Sequence, residues 1–475
     1  MSSDSRSPEY AVLGHPNEGK SSVVSTLAED DTVKVSATPG ETRRCQSFPV
    51  MVDGEEIIRF TDTPGFQVPG KTLAWFREYS GNPAEIVRAF IAAHEGDPLY
   101  ADECELLSPV ARGAGILYVV DASRPVRRND RAEMEILRMT GCPRMAIINS
   151  KRGEVDHTES WKNEFRRSFN AFRVFNAHNA NYAERLLLLE SLKGIDQDWE
   201  RALERVITAY RDDWARRNLL CSRLMAGLLG EALRHTTTRR WDGKGGEKPL
   251  REALLGTYQK EIAAIEKEAQ QKIRRLFKHN IFNLYLPEQS ILHHDLFDSR
   301  TWQVLGLSPK QLVAAAAAAG GAIGACLDLA AAGLSFGIFT ALGSIAAAGS
   351  ALAGGEKIAR TRVVGVPLGG YRMAVGPAGS VQFLYVLLDR ALLFYAHVIN
   401  WAHGRRERVA GLREAGGEEN QPSGYSSRLS AGEKEVFNRF FKAVSSGKRG
   451  ATPPDEAEMT QAIYGVLERI SRDTF

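Results

Sequence analysis

The sequence predicts an α/β domain built around a phosphate-binding loop, followed by a mostly α-helical part with an Ala/Gly-rich hydrophobic hairpin. Three observations carry this expectation. The run Gly14-His15-Pro16-Asn17-Glu18-Gly19-Lys20-Ser21 places two glycines around four residues ahead of Lys and Ser, between a strand-like stretch (10–13) and a helix-compatible one (21–28). Strand-like and helix-like segments alternate up to residue 195, after which helical periodicity takes over. Residues 312–355 are dominated by Ala and Gly and carry a single charge, Asp328.

Length and composition bound the rest. At 475 residues the chain exceeds one average domain, and 43% hydrophobic with 25% charged residues is the composition of a folded protein. The expected division is 1–195 for the α/β domain, 196–300 for an amphipathic helical region, 301–410 for the hydrophobic tract with a short hairpin and an apolar helix, and 411–475 for a linker and small helices. The balance of 61 basic and 58 acidic residues argues against a chain devoted to coating nucleic acid, and no nucleic-acid partner is expected. Five cysteines, Cys45, Cys104, Cys142, Cys221 and Cys326, lack paired spacing, so neither a zinc pattern nor a disulfide framework is expected. Residues 1–8 are polar, without the apolar core of a signal peptide, which points to the cytoplasm.

In the first domain the chemistry follows from the loop. A glycine-bracketed turn opening a helix aims backbone N–H groups of residues 14–19, with Ser22 beside them, at a polyphosphate. Lys20 is expected to neutralise its outer phosphates, and the Ser21 hydroxyl to bind Mg²⁺. A loop threonine some twenty residues on, Thr42 with Thr38 as competitor, is placed to reach the same ion when a γ-phosphate is present. A buried strand at 57–61 runs into Asp62-Thr63-Pro64-Gly65: the carboxylate suits Mg²⁺ through water, and Gly65 leaves an N–H free to approach the γ-phosphate.

Together Gly-x-Pro-Asn-x-Gly-Lys-Ser, Thr-Pro-x-x-Thr-Arg and Asp-Thr-Pro-Gly resemble the Era/TrmE branch of the translation-factor-related GTPases. The resemblance implies a Ras-like P-loop fold, GTP and GDP as ligands, and hydrolysis with Lys20, Thr42 and Gly65 as the catalytic set and Ser21, Thr42 and Asp62 as Mg²⁺ ligands. It also implies a hydrophobic residue, here Phe66, where Ras-like enzymes place a water-orienting glutamine, so that backbone groups position the water. Asn17 corresponds to an asparagine that often ligates K⁺ in that family; capping of the loop is the other reading of it.

About fifty residues separate Phe66 from the next strand, too many for a simple connection. Trp75, Phe76, Tyr79, Ile86, Val87, Phe90 and Ile91 suggest helices there, either a partner-facing lid on the switch region or a passive insertion. The strand at 115–123 resembles the family's fourth sheet strand. The strand at 145–148 runs into Asn149-Ser150-Lys151-Arg152, where the family carries Asn-Lys-x-Asp. Asn149 fits, but Arg152 stands in place of the aspartate that reads guanine, with Glu154 and Asp156 as substitutes, so adenine stays open. Ala177 and His178 occupy the place of the loop beside the base.

Beyond residue 195, Trp199, Leu203, Val206, Ile207, Tyr210 and Trp214 recur at helical spacing, a loop is expected at 236–249, and a further helix at 250–277. Paired packing of these helices and a lever from switch to membrane are both open. The tract 312–355, at ~1.5 Å per helical residue, is long enough to cross a ~30 Å hydrocarbon core twice, with Asp328 at the turn. Membrane contact is the expectation and a buried hairpin its alternative. A β-hairpin is expected about Gly369-Gly370, and at 381–401 an apolar helix whose Asp389-Arg390 pair argues for burial against protein. These segments, with Asp295-Leu296-Phe297, resemble a bacterial family pairing an Era-like GTPase domain with a helical domain of unknown function. The expected protein is a nucleotide switch at the inner membrane with an unknown protein partner. A structural protein that binds nucleotide with little turnover is the alternative.

Overall fold

A computed structural model of the chain describes residues 7–28, 44–149, 157–175, 182–241, 247–277, 290–308, 311–312, 314–315, 346–347, 362–363, 366–367, 371–400, 424–445 and 453–472. They fall into two units, one made mainly of the chain through Ala215 and the other mainly of the chain from Arg216 onward.

The first unit is a six-stranded sheet in the order β2-β3-β1-β4-β5-β6. Its strands are β1 (Glu9–Leu13), β2 (Gln46–Val52), β3 (Glu55–Asp62), β4 (Gly115–Asp121), β5 (Arg144–Asn149) and β6 (Ala171–Phe175). All neighbours run parallel except β2, which turns back on β3 through Asp53-Gly54. Both turn residues have positive φ, 52° and 82°, as a tight two-residue hairpin of this hand requires. The chain leaves β1 for β3 on one side and β4 on the other. The carboxyl end of β1 is therefore a topological switch point, where open α/β sheets bind ligands.

Side-chain alternation sends the central strands into two cores. Ala11, Leu13, Ile116, Tyr118, Val120, Ala146 and Ile148 face α2 (Pro69–Glu78), α3 (Ile86–Ala93), α4 (Ala101–Ala111), α5 (Arg128–Met139) and α6 (Thr158–Ser168). Tyr10, Val12, Leu117, Val119, Met145 and Ile147 face α1 (Lys20–Ala28), α7 (Tyr182–Lys193) and the first turns of α8 (Glu200–Arg234). Coverage on both faces explains why these strands read as continuous apolar runs. The helices between Phe66 and β4 turn Leu73, Phe76, Phe90 and Leu106 into the sheet's core, with Trp75, Tyr79 and Ile91 packed half-buried against it. The first unit also reaches past residue 195, because Leu203, Val206 and Ile207 of α8 close the second core.

The second unit combines the rest of α8 with α9 (Glu247–Leu276), α10 (Ser299–Val304), α11 (Val381–Ile399), α12 (Ala431–Ser445) and α13 (Pro453–Ser471). Its strands are β7 (Thr237–Trp241), β8 (Ala346–Ala347), β9 (Arg362–Val363), β10 (Val366–Pro367) and β11 (Tyr371–Val375). Part of the expected loop 236–249 is thus a strand. The expected hairpin centre Gly369-Gly370 lies outside the described residues, and among those described β11 does not pair with β9 or β10. β9 pairs antiparallel with β10, Val363 opposite Val366, and β11 pairs antiparallel with β7, Thr238 opposite Ala374. The tract 312–355 lies outside the described residues apart from 312, 314–315 and 346–347.

Helix α11 is long and apolar enough to span a membrane, yet 89% of that window is buried within the protein. Its charges explain the preference. Asp389 accepts hydrogen bonds from the Gly306 N–H (2.7 Å), the Ser426 N–H (2.6 Å) and the Ser426 hydroxyl (2.7 Å). Arg390 pairs through Nε with Glu266 at 2.7 Å. Burial pushes the Asp389 carboxyl up to about 6, against these three hydrogen bonds, which favour its charged form. The folded value lies above the unfolded ~3.9, so folding favours the protonated acid. That contribution is complete below about pH 4 and is lost as pH rises through 6. Wild type is therefore expected to gain on the order of 2–3 kcal/mol over Asp389→Asn between pH 7.5 and pH 4. Urea unfolding at the two pH values measures it, and a pH-independent difference contradicts it.

Candidate functional site

The site lies where β1 ends, and its shape is set by glycines that no side chain can replace. Gly14 has φ +145°, and a Cβ there would meet the Val119 carbonyl oxygen at 2.3 Å. Gly19 has φ +92°, with Asn149 Nδ2 2.3 Å from where its Cβ would lie. Gly65 comes so close to Pro16 that a Cβ would sit 2.5 Å from the proline nitrogen. The Asp62–Gly65 segment and the phosphate loop therefore pack backbone to backbone. Asn17, at φ +67°, takes the left-handed conformation that asparagine tolerates, and its side chain is exposed.

Lys20 begins α1, nearly buried, and its ammonium donates to the Gly14 carbonyl (3.2 Å) and the His15 carbonyl (2.9 Å). Burial lowers its pKa, and the charges of Asp62, Glu133 and Glu18 act to raise it. The Ser21 hydroxyl donates to Asp62 Oδ2 at 2.6 Å, joining residues forty-one positions apart. Two hard oxygen donors at the mouth of the loop, with Lys20 alongside, fit a divalent cation such as Mg²⁺. The Thr63 hydroxyl donates to the Val12 carbonyl at 2.8 Å and pins the start of the Asp-Thr-Pro-Gly segment to β1.

Sequence reasoning placed all of residues 14–22 and 62–65 at the site, and the structure brings these together, but several of their side chains turn into the protein. His15 Nδ1 lies 3.2 Å from Glu133 Oε1, and Tyr118 donates to Glu133 Oε2 at 2.9 Å. Burial raises the Glu133 pKa, while the hydrogen bond and charge of His15 lower it. Glu18 turns toward β4 and α5, and Ser22 is buried in α1. Asn149 Nδ2 donates to the Glu18 carbonyl at 3.1 Å, tying β5 to the phosphate loop. Thr38, Thr42, Arg152, Glu154, Asp156, Ala177 and His178 lie outside the described residues.

Two residues escaped the sequence reading. Glu103, on α4 and buried, accepts from the backbone N–H groups of Gln67 (2.7 Å) and Val68 (2.6 Å), so it anchors the segment just after Gly65. Gln67 itself is exposed and donates its amide to the Gly65 carbonyl at 3.3 Å, while Phe66 is fully buried. An acid inside a helical pattern gave no signal for the first. The second stands one position after the glutamine that the Ras-like pattern requires.

Residues 9–150 match the family described as 50S ribosome-binding GTPase, and residues 162–467 match the one described as Domain of unknown function (DUF3482). Similar proteins include GTPase Der of Agathobacter rectalis, 29% identical over 163 residues, 31% of this chain and 36% of the relative. Another is the tRNA modification GTPase MnmE of Pseudothermotoga lettingae, 30% identical over 135 residues, 27% of this chain and 23% of the relative. The chain spans about a third or less of the length of the curated relatives it matches. Among solved structures, Era in complex with MgGDPNP and nucleotides 1506–1542 of 16S ribosomal RNA aligns over 58% of this chain and 91% of its own, at 14% identity and TM-score 0.27. Era of Aquifex aeolicus bound to GDP and AlF4⁻ aligns over 57% and 89%, at 16% identity and TM-score 0.26. With scores that low, the fold assignment rests on the strand order and the phosphate loop.

Proposed function

Because the chain belongs to the DUF3482 family, with an Era/TrmE-like bacterial GTPase domain at its amino end, we propose that it is a GTP-binding and GTP-hydrolysing switch associated with the cytoplasmic face of the inner membrane. The observation that carries the nucleotide part is the convergence of Lys20, Ser21 and Asp62 where the phosphate loop, with Gly14 and Gly19, meets the segment ending in Gly65, three positions too close-packed for a side chain. Ser21 and, through water, Asp62 would hold Mg²⁺, with Thr42 as a further ligand; the ion's charge offsets that of the β- and γ-phosphates.

Hydrolysis is attack of water on the γ-phosphorus. The bond to the β–γ bridging oxygen breaks, the nucleoside diphosphate leaves with that oxygen, and one proton of the water passes to the phosphate product. Lys20 stabilises charge on the leaving side, and the Gly65 N–H faces the γ-phosphate. The preference for guanine rests on the family resemblance, and competition of GTP against ATP for one site tests it. Stimulation by K⁺ rests on that resemblance and on Asn17, exposed at the loop's rim. The membrane part rests on the composition of 312–355, and the exclusion of nucleic acid on the near-balanced charge.

One assay separates the readings: phosphate release from GTP with Mg²⁺, in K⁺ or Na⁺, with and without anionic lipid vesicles. Release that is faster in K⁺, from protein that floats with the vesicles, is the expected result. Nucleotide retained without phosphate release under any of these conditions contradicts the enzyme and favours a structural nucleotide-binding protein. Equal rates in the two salts remove the role for K⁺, and protein left in the soluble fraction removes the membrane.

A further inference from the structure

The phosphate loop carries a carboxylate of its own, next to Gly19-Lys20, where a negative charge opposes a polyphosphate. Glu18 is 3% exposed. Its Oε2 accepts the Asp121 N–H at the end of β4, and its Oε1 takes both Nε (2.8 Å) and Nη2 of Arg124. The same guanidinium crosses to Asp130 on α5, Nη1 to Oδ2 at 2.7 Å and Nη2 to Oδ1 at 2.9 Å. Asp130 is fixed in turn by the Arg127 N–H at 2.6 Å. Arg124 also lies 5.4 Å from the ring centroid of Trp161, whose Nε1 donates to the Arg124 carbonyl at 2.9 Å. The planar guanidinium pairs two of its nitrogens with the two Asp130 oxygens while two also reach Glu18, a fixed bidentate fork that a lysine ammonium lacks.

We propose that Arg124 is a positioning residue for nucleotide. By neutralising Glu18 and tying it to Asp130, it holds the phosphate loop open to a polyphosphate anion, so that affinity depends on the charge balance between residues 18 and 124. This inference rests on the nucleotide-binding reading above. Removing the arginine leaves a buried carboxylate uncompensated beneath the phosphates, in surroundings where Coulomb interactions are weakly screened.

The test is equilibrium titration of the full chain, in Mg²⁺, with a fluorescent GDP and a fluorescent non-hydrolysable GTP analogue. It compares wild type, Arg124→Gln, Glu18→Gln and the double variant. Arg124→Gln is expected to weaken both nucleotides on the order of tenfold, the triphosphate more than the diphosphate. Glu18→Gln is expected to bind severalfold more tightly than wild type, and the double variant to return to within about threefold of it. A merely structural arginine would leave the double variant as weak as Arg124→Gln, and that result overturns the inference. So does an Arg124→Gln affinity within about threefold of wild type. Should Arg124→Gln not fold, Glu18→Gln decides alone, and binding no tighter than wild type overturns it. Wild type that takes up neither nucleotide overturns the nucleotide reading and this inference with it, whereas wild-type binding with an unshifted variant series overturns this inference alone.

Discussion

Lys20→Ala is expected to lower GTP turnover by about a hundredfold or more, the loss that follows removal of one preorganised charge from a developing anion. The side chain is 7% exposed and held by the Gly14 and His15 carbonyls, so its ammonium is already in the loop before a phosphate arrives. Its charge also balances the nearby Asp62 carboxylate most strongly, and alanine removes that balance beside the ligand. Phosphate release at saturating GTP measures the effect, with far-UV circular dichroism showing that the variant is folded. Turnover within a fewfold of wild type would remove Lys20 from the mechanism.

The second large effect lies in the helical unit. Arg390→Ala is expected to destabilise it by about 3–5 kcal/mol, the usual result of breaking one side of a buried ion pair. Arg390 and Glu266 are each 5% exposed, with Nε to Oε1 at 2.7 Å and Nη2 to Oε2 at 3.2 Å, and Nη1 donates to the His294 carbonyl at 2.9 Å. Removing the guanidinium leaves the buried Glu266 carboxylate without its cation, though still accepting from the Gln270 amide, and takes a donor from the His294 carbonyl. Replacing both charges, Arg390→Met with Glu266→Leu, is expected to recover most of the loss, because an apolar pair needs no partner. Urea unfolding followed by α-helical signal reports both, and a loss under about 1 kcal/mol for Arg390→Ala contradicts the reading of this pair.

How much of this the sequence discloses depends on whether a function fixes the local backbone. The phosphate loop and Asp62-Thr63-Pro64-Gly65 are legible because Gly14, Gly19 and Gly65 occupy positions that steric contact reserves for glycine. Strands β1, β4 and β5 are legible because burial on both faces makes them continuously apolar. Contacts between distant residues of ordinary type leave no such trace. Arg124 and Glu18 stand 106 residues apart, and nothing local to either announces the pair. Strand β7 was missed because Thr237-Thr238-Arg239-Arg240-Trp241 lacks alternation, its register being supplied by β11. The first turns of α8 continue a helical pattern without a break, so their place under the sheet shows only once Leu203 and Val206 are seen against it. The Asp389-Arg390 pair was legible as a sign of burial, since two charges within an apolar helix require partners.

The most direct test of the central claim is equilibrium binding of a non-hydrolysable GTP analogue to the purified full chain, titrated with Mg²⁺ present and again after chelation. Saturable one-to-one uptake that weakens strongly without Mg²⁺ and is lost in Lys20→Ala is the expected result. A chain that binds neither GTP nor ATP analogue at millimolar concentration, or binds equally well without Mg²⁺, contradicts the assignment of Lys20, Ser21 and Asp62 to a metal–triphosphate site.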